Sequence, residues 1–152
     1  FGQLKDFLNT IAKKLTTKNT SSNPSELSMF KCSTDSNRAL EIAQTLVNTW
    51  QLASDIVESR GGKFTAILQP VSFYGKADVN YLNLNSSYYD VLSMQFEAVY
   101  PLIIELAQNK NVKFLDLTSV YDDCSNCYID FCHVGPQAHK ILTKKLISEL
   151  IE

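Results

Sequence analysis

From Gln3 to Leu15 the apolar residues Leu4, Phe7, Leu8, Ile11 and Leu15 recur at helical spacing, with Lys5, Asp6, Lys13 and Lys14 on the other side. That pattern predicts an amphipathic helix. Residues 16–35 are dense in Ser, Thr and Asn and include Pro24, so they offer too little apolar surface for a core element and read as a long surface loop. The helical pattern resumes with Asp35 or Ser36 as N-cap and a stripe through Ala39, Ile42, Ala43, Leu46, Trp50, Ala53 and Val57. Gly61–Gly62 is expected to end it, because glycine enters the left-handed conformation without a Cβ penalty. Phe64 to Leu68 is a short, mostly apolar run closed by Gln69–Pro70, which predicts a strand buried on both faces. After a polar loop from Ser72 to Ser86, a third stripe runs through Tyr89, Leu92, Phe96, Val99, Ile103 and Leu106, with Pro101 expected to kink or divide the helix. Val112 to Leu117 reads as a second strand. From Pro136 to Ile151 a last helix carries Ala138, Ile141, Leu142, Leu146 and Leu150 on one face, with Pro136 in the first turn, where no backbone N–H is needed.

Strands alternating with helices predict an α/β fold whose parallel sheet is covered on both sides, a three-layer α/β/α arrangement with functional groups at the C-terminal ends of the strands. Two such ends matter: Gln69–Pro70 and the segment from Asp116 to His133. The length of 152 residues suits one domain, short for a complete two-layered enzyme. A net charge of −2 gives no electrostatic footprint for nucleic acid, and apolar runs such as Leu102–Ile103–Ile104 fall far short of the roughly 20 residues a membrane span needs. The chain starts at Phe1 without a signal-peptide pattern, as a mature or excised segment would, and further sequence upstream is expected.

The segment Tyr128–Ile129–Asp130–Phe131–Cys132–His133–Val134–Gly135–Pro136 holds an Asp-x-x-His on the loop between the last strand and the last helix. In a tight turn, a carboxylate three residues before an imidazole can accept a hydrogen bond from Nδ1–H, fix the tautomer and leave Nε2 as a general base. A loop aspartate beside a satisfied histidine is the plainer alternative. The context favours chemistry: Asp-x-x-His directly before a C-terminal helix, with Ala138 and His139 in its first turn, resembles the final block of the SGNH, or GDSL, hydrolases. The run Lys63 to Pro70, preceded by a long helix and Gly61–Gly62, is similar to a strand of that family's bacterial members, so the resemblance covers the chain from Ala39 onward.

The resemblance implies a flavodoxin-like fold, of which this chain holds the later strands and helices. It also implies ester hydrolysis in which Asp130 orients His133 and His133 activates a serine, with no metal or organic cofactor. The family's nucleophile lies in a Gly-Asp-Ser motif near the N-terminus, and a Gly-x-Asn-Asp supplies part of its oxyanion hole; this chain contains neither. Both are therefore expected in sequence preceding Phe1. Ala138 stands where many members have glycine, a change that does not touch proton transfer. The implied substrate is a small-molecule, carbohydrate or lipid ester, and the implied partner is the N-terminal segment of the same protein.

Among internal serines, Ser72 is the best placed, just beyond Gln69–Pro70, yet it lacks the tight glycine-flanked setting that exposes a nucleophilic hydroxyl beside an amide pair. Gln69, at the same strand end, is a candidate for lining the substrate pocket. Cys124-x-x-Cys127 followed by Cys132–His133 packs four potential metal ligands into ten residues. A structural zinc is not expected, since Cys132 and His133 are adjacent and a second spaced pair is absent. A Cys124–Cys127 disulfide or free thiols are the remaining readings, and a non-catalytic or zinc-stabilised module is the alternative function. The sequons at Asn19 and Asn85 fit an exported, secreted or cell-envelope protein. His139 is expected to be solvated, and Tyr81, Tyr88 and Tyr89 to pack at the core or its rim.

Overall fold

The computed structural model describes residues 31–150 apart from Asn85 and Asn111. The helix read from Gln3 to Leu15, most of the loop at 16–35 and both sequon asparagines lie outside the described residues. Among the described residues three helices and two strands follow one another: α1 (Ser36–Glu58), β1 (Ala66–Leu68), α2 (Ser87–Gln108), β2 (Phe114–Asp116) and α3 (Pro136–Leu150). The fold is mixed α/β, and β1 and β2 pair in parallel with Ala66 opposite Phe114 and Leu68 opposite Asp116.

Helix α1 begins where the sequence places it. The Asp35 carboxylate accepts the Arg38 N–H at 3.1 Å, satisfying one of the amides a helix start leaves without a partner. Its end comes earlier than expected, with Ser59 as C-cap. The glycines act just beyond it: Gly61 turns the chain at φ +77°, and at Gly62 a Cβ would stand 2.7 Å from Val57 Cγ1. Helix α2 is not divided by Pro101. Proline deprives the Glu97 carbonyl of its helical donor, but Glu97 and Pro101 are both exposed, so water can replace that bond. Val99, Tyr100, Ile103 and Ala107, buried around it, hold the helix together by packing.

Helices α1 and α2 pack on each other and share a core of Ala39, Ala43 and Val47 with Val99, Tyr100, Ile103 and Ala107, joined by Leu68 and Val71. Trp50 of α1 stacks on Phe114 of β2 at a centroid distance of 5.6 Å, placing the helices over the Ala66, Leu68 and Phe114 face of the sheet. The other face corrects the expectation of a doubly buried strand: Ile67 is 39% exposed while Ala66 and Leu68 are buried. An apolar run this short does not encode how many of its faces will be covered. No described helix is long and apolar enough to cross a membrane.

A second buried cluster of Tyr121, Cys124, Cys127, Tyr128 and Ala138 lies beyond β2, with Val120, Val134, Ile141 and Leu142 packed against it. It seats α3 on the loop that leads to that helix. The loops after the two strands are tied together at Gly75, which sits at φ +119° where a Cβ would meet Asp122 Oδ1 at 2.9 Å. That approach lets the Lys76 N–H donate to the Asp122 carboxylate at 2.8 Å.

Candidate functional site

The segment from Tyr128 to Val134 folds back on itself, with an antiparallel bridge between those two residues. The Ile129 N–H donates to the His133 carbonyl at 2.7 Å, and the Gly135 N–H to the Cys127 carbonyl at 2.8 Å. Below the turn, Cys124 and Cys127 are joined by a disulfide, the bridged form among the readings of that pair. Bridged sulfurs are not thiolate ligands, which removes the pair on which a structural zinc would rest. Closing so short a loop is worth about 2 kcal/mol on the chain-entropy account. Thermal melts with and without reductant should therefore show a lower Tm for the reduced protein; identical melts would show that the bridge does not hold the turn.

Two further contacts fix the turn from outside. The Tyr81 hydroxyl donates to the Tyr128 carbonyl and accepts the Tyr128 N–H, both at 2.8 Å, so a phenol serves Tyr128 as a neighbouring strand would. The Ser72 N–H donates to the Phe131 carbonyl at 2.9 Å, joining the segment after β1 to the tip of the turn. The ring of Phe131 packs with Phe73, Tyr89 and Phe96, an aromatic group beside the turn.

At the tip, Asp130 Oδ1 accepts the backbone N–H groups of Cys132 at 2.9 Å and His133 at 2.8 Å. Oδ2 meets His133 Nδ1 at 2.7 Å. The amides of His133 and Cys132 hold the Asp130 carboxyl down to about 2, and the imidazole adds to them against the opposing effect of desolvation. An ionised carboxylate accepts, so the neutral tautomer that fits this contact has its proton on Nδ1 and its lone pair on Nε2. The His133 side chain is 75% exposed, and Nε2 has no partner among the described residues. The arrangement is a proton acceptor of fixed tautomer directed at solvent, at the end of the sheet where both strands finish.

Cys132 Sγ lies 3.7 Å from His133 Nδ1. Burial, followed by the Asp130 charge, pushes the Cys132 thiol up, so it is no ready nucleophile. Gln69 is exposed at the end of β1, where its carbonyl accepts from the Tyr100 hydroxyl at 3.4 Å, and no hydrogen bond joins it to the Asp130–His133 pair. Ser72 reaches the turn through its backbone only; its Oγ is buried without a partner. Removing an unsatisfied hydroxyl relieves a desolvation cost, so Ser72→Ala should melt at or above the parent Tm. A fall of several degrees would reveal a bond to that hydroxyl.

His139 is exposed, as expected of a solvated residue. The two hydrogen bonds between the Tyr81 hydroxyl and the Tyr128 backbone, and the aromatic packing of Phe131, were not anticipated. The signal available for Tyr81 was weak, a tyrosine in a polar loop separated from its partner by 47 positions. Compared with known proteins, the chain matches no family model, no curated protein and no solved structure.

Proposed function

We propose that the chain is the C-terminal part of a serine ester hydrolase of the SGNH type, in which Asp130 and His133 form the base pair and a serine from sequence preceding Phe1 is the nucleophile. The observation that carries this reading is the 2.7 Å contact that pins Nδ1 to an ionised carboxylate while Nε2 stays open. An imidazole held this way takes the serine proton as the hydroxyl attacks the ester carbonyl, then returns it to the departing alcohol. Asp130 stabilises the imidazolium between those steps without itself becoming protonated. A second round, with water as nucleophile, releases the acid from the acyl-serine.

The serine is assigned to upstream sequence because the chain has no Gly-Asp-Ser and because the best-placed internal candidate, Ser72, has its hydroxyl buried. The same upstream sequence would supply the oxyanion donors and the remaining strands of a three-layer α/β/α sheet. The parallel pairing of β1 with β2, two strands separated in sequence by helix α2, supports that architecture. In this reading Gln69, exposed at the end of β1, lines the substrate side. The substrate class is an ester of a small molecule, a carbohydrate or a lipid, and the chemistry needs no cofactor.

The chain alone should not hydrolyse p-nitrophenyl acetate faster than its His133→Ala variant, and restoring the preceding sequence should bring turnover that depends on His133. Turnover by the chain alone that Ser72→Ala abolishes would move the nucleophile to Ser72 and overturn the division of labour proposed.

A further inference from the structure

The turn brings three unlike metal ligands together: an Asp130 carboxylate oxygen, Cys132 Sγ and a His133 ring nitrogen all lie within 4.8 Å of one another. We propose that this turn is a dissociable site for a thiophilic divalent cation of the zinc type, held by Asp130, Cys132 and His133 Nδ1. It is distinct from the structural site that Cys124 and Cys127 would have made, since those sulfurs are bridged.

Adjacent residues seldom share an ion because their side chains usually diverge, but here they converge. A tetrahedral zinc with bonds of about 2.3 Å to sulfur and about 2.0 Å to nitrogen needs an S to N edge of roughly 3.5 Å. The Cys132 Sγ to His133 Nδ1 separation is 3.7 Å. Zinc bonds of about 2 Å to nitrogen and oxygen need an N to O edge of roughly 3.3 Å. The observed 2.7 Å is a hydrogen-bond distance, so the edge must widen by roughly 0.6 Å when a metal takes the proton's place. Asp130 Oδ1, fixed by two backbone amides, keeps the carboxylate in position while that happens. Three protein ligands on an open turn leave the remaining position to water and give an ion that exchanges, not one locked into the fold.

Binding balances as follows. The metal displaces the thiol proton of Cys132 to solvent and takes the Nδ1 lone pair, while the imidazole proton moves from Nδ1 to Nε2. The nitrogen that was free to accept a proton then carries one. Inhibition of ester hydrolysis by the metal is therefore a consequence that rests on the function proposed above, whereas the binding itself does not.

The test uses the whole chain without reductant, so that the Cys124–Cys127 bridge is kept, and Co²⁺ as the optical probe. One equivalent should produce a saturable thiolate-to-cobalt charge-transfer absorption, lost in Cys132→Ser and in His133→Ala and retained in His139→Ala. Cys32 is present in every variant, so an absorption that survives in Cys132→Ser assigns the ligand elsewhere and overturns the site; so does the absence of any saturable absorption. In the unmutated chain, Zn²⁺ should move the His133 proton from Nδ1 to Nε2, read by the ¹⁵N shifts of the ring, and an unchanged tautomer at saturating Zn²⁺ overturns the site as well. Cobalt binding in a chain whose restored form hydrolyses no ester would leave the metal site standing and remove the hydrolase reading.

Discussion

Replacing His133 by alanine, in the protein with its preceding sequence restored, is expected to lower kcat by about 10³-fold or more. Without a base the serine hydroxyl remains a poor nucleophile, and only substrate binding and the oxyanion donors still favour the reaction. Folding should survive the change. The His133 side chain is 75% exposed, and the bonds that shape the turn run through its backbone, from His133 N–H to Asp130 and from Ile129 N–H to the His133 carbonyl. Those bonds remain in the alanine variant. His139→Ala, on the solvent side of α3, should change kcat little. The measurement is steady-state kinetics at matched folded fraction by circular dichroism. Near-normal kcat in His133→Ala together with a dead His139→Ala would mean that the wrong histidine has been assigned.

Helices α1 and α2 were legible because each buries part of a stripe that repeats with the helical period; of the stripe read on α3, Ala138 is buried and Leu150 is exposed. Asp35 as N-cap and Pro136 in a first turn marked starts that the structure keeps. Burial of the strands was not legible in the same way. Three residues hold too little pattern to say whether Ile67 meets another layer or solvent, since that depends on elements remote in sequence. Pro101 does not divide α2 for a related reason: local propensity disfavours helix there, and the packing of Val99, Tyr100 and Ile103 against α1 and β1 overrides it. At the site, Asp-x-x-His could be read because its geometry is local, a carboxylate closing a tight turn on its own backbone and on the next imidazole. The contacts that fix the turn from outside are not local. The Tyr81 hydroxyl, the Ser72 amide and the packing of Phe131 on Phe73 all come from segments that only the folded chain brings near.

Asp130→Asn is expected to reduce kcat by between about 10²- and 10⁴-fold while preserving the turn. The asparagine carbonyl can still accept the Cys132 and His133 amides that Oδ1 accepts now, so the backbone has no reason to move. The other end of the side chain changes character. Oδ2, which meets Nδ1 at 2.7 Å, becomes an NH₂ that can only donate. A donor facing Nδ1 selects the tautomer with its proton on Nε2, and that nitrogen then has no lone pair for the serine proton. The imidazolium formed during reaction also loses the adjacent negative charge. Two measurements separate these effects from misfolding: ring ¹⁵N shifts should report the proton on Nε2 in the variant and on Nδ1 in the parent, and the thermal melt should stay within a few degrees. Because Oδ1 supports the loop and Oδ2 the imidazole, the amide tests the second role with the first left intact. An asparagine variant that keeps Nδ1 protonated and turns over at the parent rate would show that the carboxylate does not set the tautomer, and Asp130 would be a loop-closing residue alone.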